Sequence, residues 1–120
     1  MATTNPASTS RRSDGVLPRR FLRPLLFLAL GEHERSYGYE LAEAVRGNGL
    51  AVDLAGVYRE LRAMERQDLL TSGWEPSANG PDRRVYLMTE LGHASRAEAI
   101  ESLRATRDQL TTALEQASDG

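Results

Sequence analysis

Fifteen arginines and no lysine carry the positive charge of this chain, and they fall in groups. Arg59, Arg62 and Arg66 recur at three- and four-residue intervals along a short amphipathic stretch, one helical turn apart if that stretch is helical. Arg83 and Arg84 follow the turn-forming Gly80-Pro81-Asp82 and precede a β-like run. A third group, Arg11, Arg12, Arg19, Arg20 and Arg23, decorates the N-terminal part. A guanidinium is planar, permanently charged and matched to phosphate oxygens. A helix and a turn-bounded hairpin that both carry such groups have the chemistry to grip a nucleic-acid backbone from two sides.

Other chemistries find no support in the residues. With no cysteine, disulfides, thiolate nucleophiles and thiolate-bound zinc are excluded. His33 and His93 are isolated, and Glu32-His33-Glu34 reads as an exposed loop rather than a metal site. There is no Ser/His/Asp arrangement with motif support and no glycine-rich phosphate loop after a strand. Neither catalysis nor a cofactor is expected.

The elements that must position the arginines follow from patterning. Residues 1–16, rich in Thr, Ser, Asn and Arg with few apolar anchors, read as a disordered arm. From Pro18 to Leu30 apolar residues crowd more than one face of a first, mostly buried helix, which Gly31 ends. Ser36 suits the cap of a second helix, Tyr37 to Arg46, with Tyr37, Leu41 and Val45 on its buried stripe and Gly47-Asn48-Gly49 as its stop. Asp53 suits the cap of a third, running to about Gln67, with Leu54, Val57, Leu61 and Met64 inside. Leu69–Trp74 and Arg84–Met88, separated by the turn-rich 76–82, make a two-stranded hairpin, the wing. Thr89 caps a last helix to about Ala117, where Ile100, Leu103, Leu110, Leu114 and Ala117 follow a 3-4 spacing with Arg107 in the one remaining slot. Some 28 helical residues span about 42 Å, more than the preceding domain can cover, so this helix needs a partner, most simply its own copy.

At 120 residues the chain is one small domain, and its 40% apolar and 27% charged residues are those of a soluble globular protein. Residues 21–30 are apolar and follow arginines, as in a secretory leader. Arg23 and Pro24 interrupt them, and they fall short of the roughly 18 residues of a membrane span. A core helix and a cytoplasmic protein with no membrane partner are therefore expected. Net charge is −2, but residues 1–24 set five arginines against Asp14, and residues 90–120 set six acids against three arginines. A basic front and an acidic rear suit a protein with one face turned to phosphates.

Helix, helix, helix, hairpin, helix, with guanidinium groups on the third helix and the hairpin, is the pattern of a winged helix-turn-helix, mainly α with a small β component. Four motifs carry a closer likeness: Tyr37-Gly38-Tyr39-Glu40-Leu41, Val57-Tyr58-Arg59-Glu60-Leu61, Gly80-Pro81 with Arg83-Arg84-Val85-Tyr86, and Thr89-Glu90-Leu91-Gly92. In this order and spacing the chain resembles the PadR family of transcriptional regulators over residues 21 to about 92, in the compact branch with a single C-terminal helix. The resemblance implies a winged-helix DNA-binding domain over 17–89 and a dimerisation helix over 90–117. It also implies a homodimer that represses by binding palindromic double-stranded DNA, with the third helix in the major groove and the wing on the backbone or minor groove. Drug-sensing relatives hold flat aromatic effectors against a tryptophan on the last helix. That helix has no aromatic residue here, so an effector of that kind is not supported, and the identity of any other is open.

On this reading the residues expected at DNA are Tyr39, Ala55, Gly56, Tyr58, Arg59, Arg62, Arg66, Arg83 and Arg84. Arg59, near the start of the third helix, suits guanine, and the other arginines suit phosphate. Tyr58 either bonds a phosphate or packs under the hairpin. Ala55-Gly56 replaces the Gly-Thr usual in the family, and close approach of backbone to DNA is one reason for a glycine inside a helix. Trp74 is expected to plug the space between wing and core. Ile100, Leu103, Arg107, Leu110, Leu114 and Ala117 form the expected dimer seam, where Arg107 either pairs with Asp108 or Glu101 of the other copy or snorkels to water. A rival reading keeps the fold but retires the DNA face, leaving a module that binds another regulator through the last helix.

Overall fold

The computed structural model describes residues 16–31 and 35–119, so most of the arm expected over 1–16, with Arg11 and Arg12, and the Glu32-His33-Glu34 triplet lie outside the described residues. Pro18, in extended conformation, leads through a 3-10 turn, Arg19–Phe21, into helix α1, Leu22–Leu30. Leu22, Leu25, Leu26, Phe27 and Leu30 are buried, a broad apolar face at helical spacing. Gly31 ends the helix at φ 45°, a conformation that glycine adopts without steric cost.

Strand β1, Ser36–Tyr37, runs directly into helix α2, Gly38–Gly47. Here the expectation of a Ser36 cap fails: Ser36 is buried opposite Tyr86 in the sheet, and Tyr37 precedes the helix without a side-chain cap bond. Helix α3, Leu54–Arg66, is capped as expected by Asp53, whose Oδ1 accepts the Gly56 N–H at 2.8 Å. Val57, Leu61 and Met64 make its buried stripe. Leu54, expected among them, is 41% exposed, because the first turn of α3 reaches past the edge of the core.

Strands β2, Leu70–Ser77, and β3, Gly80–Met88, pair antiparallel around Ala78-Asn79, and β1 joins the far side of β3 to give the order β1-β3-β2. Both strands run further than the alternation in the sequence suggests. Pro76 is accommodated because β2 is an edge strand and its register shifts between Glu75 and Ser77. Helix α4 spans Glu90–Asp119. Thr89 caps it, accepting the Gly92 N–H at 2.9 Å while donating to the Asp68 carbonyl at 2.6 Å. A Cβ on Gly92 would stand 2.1 Å from the Leu69 carbonyl oxygen, so glycine is what lets α4 start hard against the entry to β2.

One core joins α1, Leu41, Ala42 and Val45 of α2, the α3 stripe, Leu70 and Tyr86. The first turns of α4 lean on it through Ala99, and Arg96 donates to the Phe27 carbonyl at 2.8 Å. Further along, Leu110 and Leu114 are 58% and 69% exposed. The architecture is a winged helix-turn-helix, mainly helical with a small three-stranded sheet. No helix among the described residues is long and apolar enough to cross a membrane.

Candidate nucleic-acid interface

Helix α3 turns Ala55, Arg59, Arg62 and Arg66 to solvent. None of the three arginines makes an ion pair or hydrogen bond with another described residue. Arg23 differs: its Nε lies 2.5 Å from Glu60 Oε2 and its Nη1 2.6 Å from Gln67 Oε1, tying α1 to α3. Carboxylates on the inner flank of α3 are thus consumed internally, and the outer row keeps its charge.

Gly56 does not belong to that row. It is buried, and a Cβ there would meet Val52 Cγ2 at 2.8 Å and Asp53 Oδ1 at 2.9 Å. The missing side chain makes room for the cap of α3, so close approach to DNA is not what this glycine serves. Tyr58 is half-buried, and its ring and hydroxyl lie over Gly38, where a Cβ would be 2.4 Å away. Of the two roles open to it, packing against the start of α2 is the one its position fits. Tyr39, on the first turn of α2, is 46% exposed.

Neighbouring strand residues face opposite ways, so Arg83 and Arg84 acquire different surroundings. Arg83 holds its guanidinium 4.3 Å from the Tyr37 ring centre, with Nη2 3.7 Å from Glu75 Oε1. Glu75 makes closer contacts elsewhere: Oε2 is 2.6 Å from Arg35 Nη1, and Oε1 accepts the Tyr37 hydroxyl. That acceptor, with burial adding, pushes the Tyr37 hydroxyl above the usual tyrosine range. Arg84 lies opposite Trp74 in the ladder, its guanidinium 4.9 Å from the ring centre and Nη2 3.8 Å from Glu65 Oε1. Glu65 in turn accepts the Ser72 hydroxyl at 2.7 Å through Oε2. Burial pushes the Tyr86 hydroxyl up as well, against the opposing pull of Arg84. Each wing arginine therefore sits on an aromatic face, near a carboxylate but beyond hydrogen-bond length from it.

Trp74 is not the expected plug: it is 64% exposed. Strand β2 runs beyond the end of the core, so the side that is buried at Leu70 is open four residues on, at Trp74. What opens there is a groove of about 730 Å³, lined by Tyr39, Tyr58, Arg62, Trp74, Arg83 and Arg84 among others. Sequence reasoning missed Trp74, Glu75 and Tyr37 as neighbours of the wing arginines. The turn alone could not have found them. Counting outward from Ala78-Asn79 sets Trp74 opposite Arg83, and only the register shift between Glu75 and Ser77 brings Glu75 opposite Arg83 and Trp74 opposite Arg84.

At the other end, Ile100 and Leu103 are half-buried and border a hollow shared with Leu28 of α1. Arg107 is exposed at the edge of the same hollow, and Leu110, Leu114 and Ala117 stand exposed beyond it. Arg107 pairs with Asp108 of its own chain at 2.9 Å.

A helix-turn-helix beside a wing defines the chain as a winged-helix protein, with an arginine row on α3 that is unpaired among the described residues and two more guanidinium groups on the wing. The sequence profile of the transcriptional regulator PadR-like family matches residues 26–98, and the chain belongs to that family of transcriptional regulators. Solved structures agree on the fold. A PadR family transcription regulator from Clostridium difficile is 23% identical with a TM-score of 0.68, covering 78% of this chain and 98% of its own. A PadR-like transcriptional regulator from Bacillus cereus is 23% identical with a TM-score of 0.69, covering 80% and 93%. A PadR family transcriptional regulator from Eggerthella lenta is 26% identical with a TM-score of 0.62, covering 80% and 87%. No curated protein matches the chain.

Proposed function

We propose that the chain is a homodimeric cytoplasmic repressor that binds a two-fold symmetric operator with α3 in the major groove and the wing against the adjoining backbone. The observation that carries this reading is the row Arg59, Arg62 and Arg66, exposed on α3 and claimed by no described carboxylate. Arg59, near the helix start, reads guanine O6 and N7, and Arg62, Arg66, Arg83 and Arg84 neutralise phosphates. Tyr39 and Ala55 sit at the rim of the same face. Residues 17–89 supply the DNA-binding unit. Residues 90–117 supply the pairing helix, with Ile100, Leu103, Arg107, Leu110, Leu114 and Ala117 at its seam. Pairing sets two α3 helices about 34 Å apart, one turn of DNA. Any effector would release the operator by altering that separation.

The test is a gel shift with the duplex upstream of the protein's own gene, followed by affinity against salt. The reading expects affinity to fall steeply as salt rises, with Arg59→Ala and Arg62→Ala each shallowing the log–log slope by about 1. Retention of no duplex at low salt would overturn it in favour of a protein-interaction module.

A further inference from the structure

We infer that Trp74 is a DNA-contacting residue: the groove between α3 and the wing seats one sugar–phosphate strand, and a deoxyribose packs on the open part of the Trp74 indole. The inference rests on the proposed reading that α3 and the wing straddle a duplex. If a helix lies in the major groove and the wing lies beyond it, the strand dividing the two grooves must pass between them.

The walls suit such an occupant. Arg62, Arg83 and Arg84 face Asp82 as the one acid of the lining. Glu75 and Glu65, 3.7 and 3.8 Å from Arg83 and Arg84, offset part of their charge, and Arg62, claimed by no described carboxylate, tips the groove toward an anion. Between the guanidinium groups lies apolar aromatic surface, and a nucleic-acid strand alternates charged phosphates with largely apolar sugars in the same way. Trp74 is 64% exposed, yet it is not loose: Arg84 stands over its ring from the neighbouring strand. A large aromatic held in place and left uncovered inside a basic groove has the character of an interface anchor.

Trp74 is the only tryptophan in the chain, so its emission reports on the groove directly. Titration with a duplex that the wild-type protein retains should change that emission to saturation. Trp74→Ala should weaken binding about tenfold, the order expected from loss of a half-covered aromatic contact. Its salt slope should stay at the wild-type value, because no charge is removed, whereas Arg84→Ala should shallow the slope by about 1. Trp74→Phe, which keeps a ring and guards against a folding defect, should recover most of the affinity.

Duplex binding with unchanged emission and unchanged affinity in Trp74→Ala would overturn the inference while leaving the wider reading intact. So would a Trp74→Ala defect that shallows the slope as Arg84→Ala does, since Trp74 would then act only by holding Arg84. Saturable quenching by anilinonaphthalene sulfonate that the duplex fails to displace would assign the groove to a small molecule instead. A wild-type chain that retains no duplex would overturn both readings together.

Discussion

Arg83 rests on the ring of Tyr37, 4.3 Å from its centre, and the hydroxyl of that same tyrosine donates to Glu75. The wing arginine is thus positioned by a two-residue strand, with Glu75 fixing the ring that carries it. An exposed cation–π contact stabilises by about 0.5–1 kcal/mol. Tyr37→Leu should therefore lower duplex affinity about two- to fivefold, and Tyr37→Phe, which keeps the ring, should lower it less. Fluorescence anisotropy with a labelled duplex measures both, and equal losses would show that the hydroxyl, not the ring, sets the position of Arg83.

Two tyrosines should govern the alkaline limit of stability. The hydroxyls of Tyr37 and Tyr86 are both pushed above the ordinary value, the first mainly by its bond to Glu75 and the second by burial. A group whose folded pKa is raised stabilises fully below its unfolded value, about 10 for tyrosine, and that contribution is lost as pH rises through the folded value. Neither tyrosine should change stability between about pH 7 and 9, and both should lower it above about 10. Denaturant midpoints across that range check the sign, and Tyr86→Phe should soften the alkaline fall.

Three glycines, each inside or beside a helix, should respond differently to alanine. At Gly92 the new Cβ meets a backbone carbonyl oxygen at 2.1 Å, which cannot rotate away, and a loss of about 1–3 kcal/mol follows. At Gly38 the obstacle is the Tyr58 ring, so the cost falls in the same range with the ring displaced into the groove. At Gly56 the neighbours are the ends of Val52 and Asp53, and alanine regains about 1 kcal/mol of helix propensity. A disturbed cap costs about 1 kcal/mol and Val52 must also shift, so Gly56→Ala should lower thermal stability by less than Gly92→Ala. It should leave DNA affinity close to wild type, because the residue is covered by its own cap.

Helix α3 was legible because local signals agree: Asp53 caps it, and Val57, Leu61 and Met64 recur at helical spacing. The cap at Thr89 was legible for the same reason. Strand β1 was not, since two residues carry no periodicity and Ser36-Tyr37 is extended only because β3 offers it a partner. Leu54 and Trp74 misled because both lie in phase with buried neighbours but past the end of the core, and residue pattern carries no information about where a core stops. The arginine types were plain from the start. Which of them stay unpaired depended on Glu60, Glu65 and Glu75 reaching across from other elements, a tertiary fact.

The far half of α4 is where the proposed dimer can be tested without disturbing the DNA-binding unit. Leu110 and Leu114 lie one turn apart, are 58% and 69% exposed, and touch nothing that holds the wing or α3 in place. The Arg107–Asp108 pair beside them is about two-thirds exposed on both sides, and such pairs add little to stability, so apolar burial has to drive any pairing of two copies. Leu110→Asp with Leu114→Asp should leave the monomer fold intact, as judged by far-ultraviolet circular dichroism. The same variant should sediment as a monomer at concentrations where the wild-type chain is a dimer, and its unfolding temperature should cease to rise with protein concentration. Operator affinity should drop sharply, because two half-sites would then be bound independently rather than through one linked pair of α3 helices. If the variant sediments like the wild type, the seam lies elsewhere, and the hollow formed by Leu28, Ile100 and Leu103 becomes the next face to substitute.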